Sequence, residues 1–226
     1  MSFQTSNGMN KSELRQDLVS GDWILIAPGR GKRPERFVSR EKSKKAPLKG
    51  CLFENPEKAA GGKPSVIYPN GNAWHLMIIP NKFPAVVYKE IKVLKKKVGQ
   101  YSVIPGLGYH DLLITRDHDR NFAKLSPKEA NLVCRYFQNR YLMFLRKKNL
   151  SYAAIFHNWG AKAGASVYHP HYQIVAIPIV PPNVEHSLHG AKSYFRKHKK
   201  CVHCEMISWE KKQKKRCIGR MDVFSD

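Results

Sequence analysis

Three residues in the stretch Val167-Tyr168-His169-Pro170-His171-Tyr172-Gln173-Ile174 could do chemistry together: His169, His171 and Gln173. They sit at alternate positions in a segment whose other residues suit a β-strand. Strand side chains alternate faces with a period of two. The spacing therefore predicts His169, His171 and Gln173 on one face, with Tyr168, Tyr172 and Ile174 on the other. An imidazole has a reference pKa of about 6.5, so a neutral histidine is a competent nucleophile near neutrality. A neighbouring amide donates hydrogen bonds but supplies no acid. The plain alternative is a polar strand face lined by two structural histidines.

The residues upstream favour the chemical reading. Phe156-His-Asn-Trp-Gly-Ala-Lys-Ala-Gly-Ala-Ser-Val167 runs directly into the motif. Gly160 and Gly164 allow sharp turns that present backbone N–H groups, a way to hold phosphate oxygens. Asn158 and Ser166 add polar donors. The combination reads as a phosphate cradle leading into an imidazole nucleophile.

The elements that must position these residues can be read around them. Asp22 to Pro28 reads as a buried strand, followed by a basic loop from Gly29 to Gly50. Trp74 to Ile79 and Tyr109 to Thr115 read as strands, and Ala85 to Tyr88 as the start of another. Lys89 to Gly108 reads as an irregular connection. Ser126-Pro-Lys-Glu129 is a helix start, with a capping serine, proline in the first turn and glutamate completing a capping box. Ala130, Val133, Phe137, Tyr141 and Phe144 follow at helical spacing and are expected in the core, in a helix ending near Lys148. Leu150 to His157 and Tyr168 to Ile179 complete the strands, and Pro182 to His198 reads as helical. The pattern is α+β: an antiparallel sheet packed against one long helix.

Bulk properties narrow the function. The chain has 226 residues and 42% hydrophobic content, enough for a core. No apolar run is long enough to span a bilayer. The polar N-terminus lacks the apolar core of a secretion signal. The five cysteines, Cys51, Cys134, Cys201, Cys204 and Cys217, make an odd set expected to be reduced, in the cytoplasm. The net charge of +23 raises nucleic-acid binding as an alternative. The lysines lie mostly in blocks without interleaved aromatics, however, so a base-stacking surface is not evident. A basic surface also attracts phosphorylated small molecules.

Ordered blocks along the chain resemble galactose-1-phosphate uridylyltransferases of the histidine-triad superfamily. They are Leu14-Arg-Gln-Asp17, Gly21 to Pro34, Cys51-Leu-Phe-Glu54, Asn81-Lys-Phe-Pro-Ala85, Gly108-Tyr-His-Asp111 with Arg116-Asp-His118, Phe156 to Gly160, and His169 to Gln173. The resemblance implies a histidine-triad-like fold and a two-step transfer. His171 would take a uridylyl group from UDP-glucose, with Gln173 stabilising charge on a phosphate oxygen. A hexose 1-phosphate, such as galactose 1-phosphate, would then receive it. Arg30, Arg33 and Asn81 fall at nucleotide-contact positions, and Asn158, Gly164 and Ser166 at phosphate or ribose positions. Arg30 and Arg33 would otherwise be a solvated basic loop, and Asn81 a turn cap.

The resemblance also implies zinc. Its ligands map to Cys51, Glu54, His118 and His169, with Glu54 where the family carries a second cysteine. Zinc accepts carboxylate oxygen as well as thiolate and imidazole. Cys201 and Cys204 echo this spacing, but no matching histidines follow them. The domains expected are 1–200, the N-terminal catalytic half, and 201–226, an incomplete start of a second half. A full-length member would be a homodimer. A face left uncovered by a missing half would favour poor stability or self-association. Two alternatives remain open here: an adenylyltransferase acting on ADP-sugars or dinucleoside polyphosphates, and an inactive basic nucleotide- or nucleic-acid-binding fragment.

Overall fold

The computed structural model describes residues 12–16, 23–28, 45–89, 95–215 and 217. The chain separates into two compact units, Met1–Val180 and Pro181–Asp226. The architecture is α+β.

The first unit is built on a five-stranded antiparallel sheet in the order β3-β4-β7-β9-β8. Its strands are β3 (Val66–Tyr68), β4 (Leu76–Pro80), β7 (Tyr109–Thr115), β8 (Tyr152–Phe156) and β9 (His171–Ile177). A second sheet, in the order β2-β1-β6-β5, joins β1 (Glu13–Gln16), β2 (Trp23–Ile26), β5 (Lys96–Val98) and β6 (Tyr101–Pro105). The short helix α1 (Pro56–Ala59) follows a 3-10 turn, Leu52–Glu54.

The long helix is α2 (Pro127–Leu145), and its start follows the expected chemistry. Ser126 Oγ accepts the Glu129 N–H at 3.3 Å, and the Glu129 carboxylate accepts the Ser126 N–H at 2.7 Å. Arg120 clamps the same carboxylate at 2.7 and 2.9 Å, which with the Ser126 bonds holds Glu129 down to about 2. Val133 and Phe144 are buried against Leu76, Ile78, Leu113, Tyr172 and Ile174 of the sheet. Tyr141, expected in the core, is 38% exposed, because the seam runs through Tyr136, Phe137 and Met143 instead. A buried ion pair also ties α2 to β7: Arg140 Nε donates to Asp111 at 2.8 Å. Burial pushes the Asp111 carboxyl up, and the Arg140 charge opposes that rise.

Cross-strand pairing fixes what the opposite face carries. Leu112 lies opposite Gln173 and Ile114 opposite His171, while Met77 and Ile79 on β4 pair with Ile114 and Leu112. Residues directly opposite one another share a face. His171 and Gln173 therefore stand beside a second apolar cluster, Phe53, Trp74, Met77, Ile79, Leu112 and Ile114, away from α2. Gly108 is needed for a close approach: a Cβ there would stand 2.0 Å from the Ala176 carbonyl oxygen.

Several expectations are corrected. The strand at residues 23–26 is an edge, with Ile24 50% exposed, rather than a buried strand. Residues 85–88 form no strand; their β-pairing among the described residues is the isolated bridge Val87 to Leu107. The connection 89–108, expected to be irregular, contains the β5–β6 hairpin. Val98 pairs with Tyr101 across Gly99-Gln100, and Gly99 has a φ of 59°. A positive φ at the first of two turn residues suits a tight hairpin, and glycine supplies it without strain.

The second unit contains α3 (Pro182–His198) and α4 (Val202–Gln213). The expected domain step lies at 200/201, whereas α3 groups with α4. Tyr194 donates to Glu205 at 2.5 Å, and Lys200 pairs with Glu205 at 3.2 Å. Among the described residues no helix is long and apolar enough to cross a membrane.

Candidate active site and metal-ligand cluster

His171, the expected nucleophile, is the first residue of β9. The ladder cannot extend back through Pro170, which lacks an N–H. The alternation expected from Tyr168 onward therefore begins only at His171, and Tyr168 does not join the Tyr172 face. Its hydroxyl donates to Asp119 at 3.1 Å, and its ring lies 5.3 Å from that of His118. His169 still turns toward the same side as His171: the Phe53 ring packs 5.9 Å from His169 and 5.0 Å from His171.

His171 is 5% exposed. Its Nδ1–H donates to the His169 carbonyl oxygen at 3.0 Å. A neutral imidazole carries one proton, so this bond assigns the lone pair to Nε2. Gln173, 8% exposed, stands two residues on along the same face.

The metal-ligand expectations come together in space. Cys51, Glu54, His118 and His169 each offer one ligand atom, all within 4.8 Å of one another. Cys51 Sγ lies 3.6 Å from His169 Nδ1. Glu54 Oε1 lies 3.5 Å from both His118 Nδ1 and His169 Nδ1. Zinc bonds of about 2.0–2.3 Å in a tetrahedron require ligand separations of about 3.3–3.7 Å. The second ring nitrogens are committed elsewhere: His169 Nε2–H donates to the Thr115 carbonyl at 2.7 Å, and His118 Nε2–H to the Ala46 carbonyl at 2.9 Å. Such outer bonds fix the tautomer that turns Nδ1 inward. Glu54 Oε1 and His118 Nδ1 are buried without a hydrogen-bond partner. Buried polar atoms are ordinarily satisfied, so these two fit a cation between them. Burial pushes the Cys51 thiol up and the His169 imidazole down, so both favour neutral forms until a cation displaces the thiol proton.

The remaining expected residues are distributed as follows. Asn158 is exposed, two residues beyond Phe156, which pairs with Gln173. Gly160 and Gly164 have φ values of 83° and 69°, and the Ala163 and Ala165 N–H groups both close onto the Gly160 carbonyl. Ser166 is half-buried on the same connection. Trp159 Nε1–H donates to the Tyr168 carbonyl at 3.0 Å, tying this connection to the motif. Asn81 is both a turn cap, its Oδ1 accepting the Phe83 N–H at 2.9 Å, and a neighbour of His110. Arg30 and Arg33 lie outside the described residues. A cleft of about 80 Å³ lined by Tyr88, Lys89, Leu107 and Lys147 among others contains none of these side chains.

His110 was not among the expected site residues. It is 4% exposed on β7, and its Nε2 lies 3.0 Å from Gln173 Oε1. Its position two residues before Leu112, on the motif's face, was the available signal.

Comparison with known proteins identifies the family. The profile described as "Galactose-1-phosphate uridyl transferase, N-terminal domain" matches residues 1–181. The chain belongs to the galactose-1-phosphate uridyl transferase family. It is 31% identical over 200 residues to "ADP-glucose phosphorylase" of Arabidopsis thaliana, covering 87% of this chain and 57% of that protein. It is 24% identical over 204 residues to "Galactose-1-phosphate uridylyltransferase" of Thermotoga maritima, covering 90% of this chain and 58% of that protein. A solved "Structure of uridylyltransferase" superposes with a TM-score of 0.65 at 28% identity, over 88% of this chain and 57% of the other. The chain thus spans less than two thirds of the length of these family relatives.

Proposed function

We propose that this chain carries out nucleotidyl transfer from a nucleoside-diphosphate sugar through a covalent His171 intermediate. UDP-glucose is the donor and a hexose 1-phosphate, such as galactose 1-phosphate, the acceptor. The observation that carries the reading is the His171 Nδ1–H bond to the His169 carbonyl, which assigns the lone pair to Nε2 of a ring on the strand face that Gln173 shares.

In the first step the Nε2 lone pair forms an N–P bond to the α-phosphorus. The bond from that phosphorus to the bridging oxygen breaks, and its electrons leave on the sugar 1-phosphate. The ring becomes cationic, and its Nδ1–H keeps its bond to the His169 carbonyl. Gln173 donates to a non-bridging oxygen as charge builds there. In the second step a phosphate oxygen of the acceptor attacks the same phosphorus, and the N–P electrons return to Nε2. Two displacements at one centre give ping-pong kinetics. Asn81, Asn158, Gly164, Ser166, Arg30 and Arg33 serve the nucleotide and its phosphates in this reading.

Zinc is the metal we assign to Cys51, Glu54, His118 and His169. Four protein ligands leave no open position, so a bound ion would act structurally, tying the residue before Pro170 to the Leu52–Glu54 turn and the loop after β7.

The 31% identity to the Arabidopsis ADP-glucose phosphorylase supports a second reading, adenylyl transfer from ADP-glucose by the same histidine. Incubation with UDP-glucose or ADP-glucose, each labelled in its base, separates the two. The uridylyl reading expects acid-labile label from UDP-glucose that disappears in His171→Ala. Label from ADP-glucose alone would replace it, and label from neither would overturn both.

A further inference from the structure

We propose that His110 is a positioning residue for the transfer, fixing the Gln173 amide so that only its NH2 end can face the substrate. This rests on the nucleotidyl-transfer reading above.

The protonation of His110 is fixed by a backbone donor, which can only donate. The Ala85 backbone N–H donates to His110 Nδ1 at 2.9 Å. Nδ1 must therefore carry a lone pair, and the single proton of the neutral ring sits on Nε2. Nε2 has two close polar neighbours, Gln173 Oε1 and Asn81 Nδ2, each at 3.0 Å. The Asn81 amide is oriented independently, because its Oδ1 accepts the Phe83 N–H at 2.9 Å. Its Nδ2 is thus a donor and cannot take the His110 proton. Gln173 Oε1 is the acceptor.

A glutamine amide has two chemically opposite ends of nearly equal shape. Turned one way it offers donors to a phosphate oxygen, and turned the other it offers a second oxygen and repels it. The bond from His110 removes the second arrangement. All three groups are held: His110 and Gln173 are buried in β7 and β9, and the Asn81 N–H donates to the His110 carbonyl at 2.9 Å. The donor is thus oriented before substrate arrives, the condition under which hydrogen bonds lower a barrier most.

The test uses the full chain and UDP-glucose. The single-turnover rate of covalent labelling is measured by mass spectrometry, alongside UDP-glucose dissociation constants, for wild type, His110→Leu, His110→Gln, Gln173→Ala and the double variant His110→Leu/Gln173→Ala. Loss of one oriented donor costs about 10²- to 10³-fold in rate. His110→Leu is expected to slow labelling by that order with binding little changed, and His110→Gln, which keeps an N–H near Nε2, to restore much of it. The double variant should label no more slowly than Gln173→Ala alone, because His110 acts only through Gln173. Imidazole ¹⁵N spectra of the wild type should show His110 protonated at Nε2 and not at Nδ1, which reads the orienting bond without substrate or mutation. An Nδ1-protonated His110, undiminished labelling of His110→Leu, or multiplied losses in the double variant would overturn the proposal while leaving the transfer reading intact. No labelling of the wild type would overturn the transfer reading and this role within it.

Discussion

The two faces of the five-stranded sheet are made from alternate residues of the same strands, yet they are held in different ways. Toward α2 stand Leu113, Tyr172 and Ile174, packed against Val133 and Phe144. On the other side stand His110, His171 and Gln173, with His169 just before the strand, each bonded to an identified partner. The first face works mainly by volume, with the Arg140–Asp111 pair as a charged tie. The second works by proton placement, because each bond decides which nitrogen carries hydrogen. Substitutions among the apolar residues of the first face should cost stability and leave the chemistry of folded molecules alone, whereas those of His110, His171 or Gln173 should act chiefly on the chemistry.

The largest effect is expected from Phe144→Ala. Phe144 is 1% exposed, and removing a fully buried phenylalanine costs about 3–5 kcal/mol. Urea titration should show that loss, while the fraction of folded protein that labels with UDP-glucose stays the same. Reduced labelling at full folding would blur the division between the faces.

Glu54→Ala probes the other face. Losing even an outer partner of a metal site costs about 10- to 100-fold in affinity, and Glu54 stands at ligand distance. Competition with a chromophoric chelator should show zinc affinity falling by at least that order. Unchanged affinity would remove Glu54 from the ligand set.

A smaller effect belongs to the helix start. Ser126→Ala should cost about 1 kcal/mol, read as a lower urea midpoint. The Glu129 carboxyl, held to about 2 when folded, contributes stability that is complete above its unfolded value of about 4.5 and fades as pH falls toward 2. Its side chain is 40% exposed, so solvent screening keeps the contribution small. The stability lost by wild type between pH 5 and pH 2.5 should shrink in Glu129→Gln, and an equal loss in both would deny the pairing.

What could be read from the residues follows the same division. Strands β4, β7 and β8 and the capping box of α2 were legible because local patterns dictate them. The convergence of Cys51, Glu54, His118 and His169 was legible through resemblance, although Cys51 and His169 are 118 positions apart. The β5–β6 hairpin was hidden because the lysines at 95–97 mask the alternation before Gly99. Tyr168 was assigned to the wrong face because period-two reasoning ran through Pro170, where no ladder bond exists. His110 was not assigned to the site, because Ala85, Asn81 and Gln173 meet its two nitrogens only in the folded sheet.

The transfer stands or falls on a covalent bond between His171 Nε2 and a nucleotide phosphorus. Fragmentation mass spectrometry of the chain after brief exposure to UDP-glucose, worked up at alkaline pH to preserve the N–P bond, tests it directly. The expected result is a uridylyl group on the peptide containing His171, located at that residue and removed by added galactose 1-phosphate. A uridylyl group on His169, His157 or any other residue, or an unmodified protein, would contradict it.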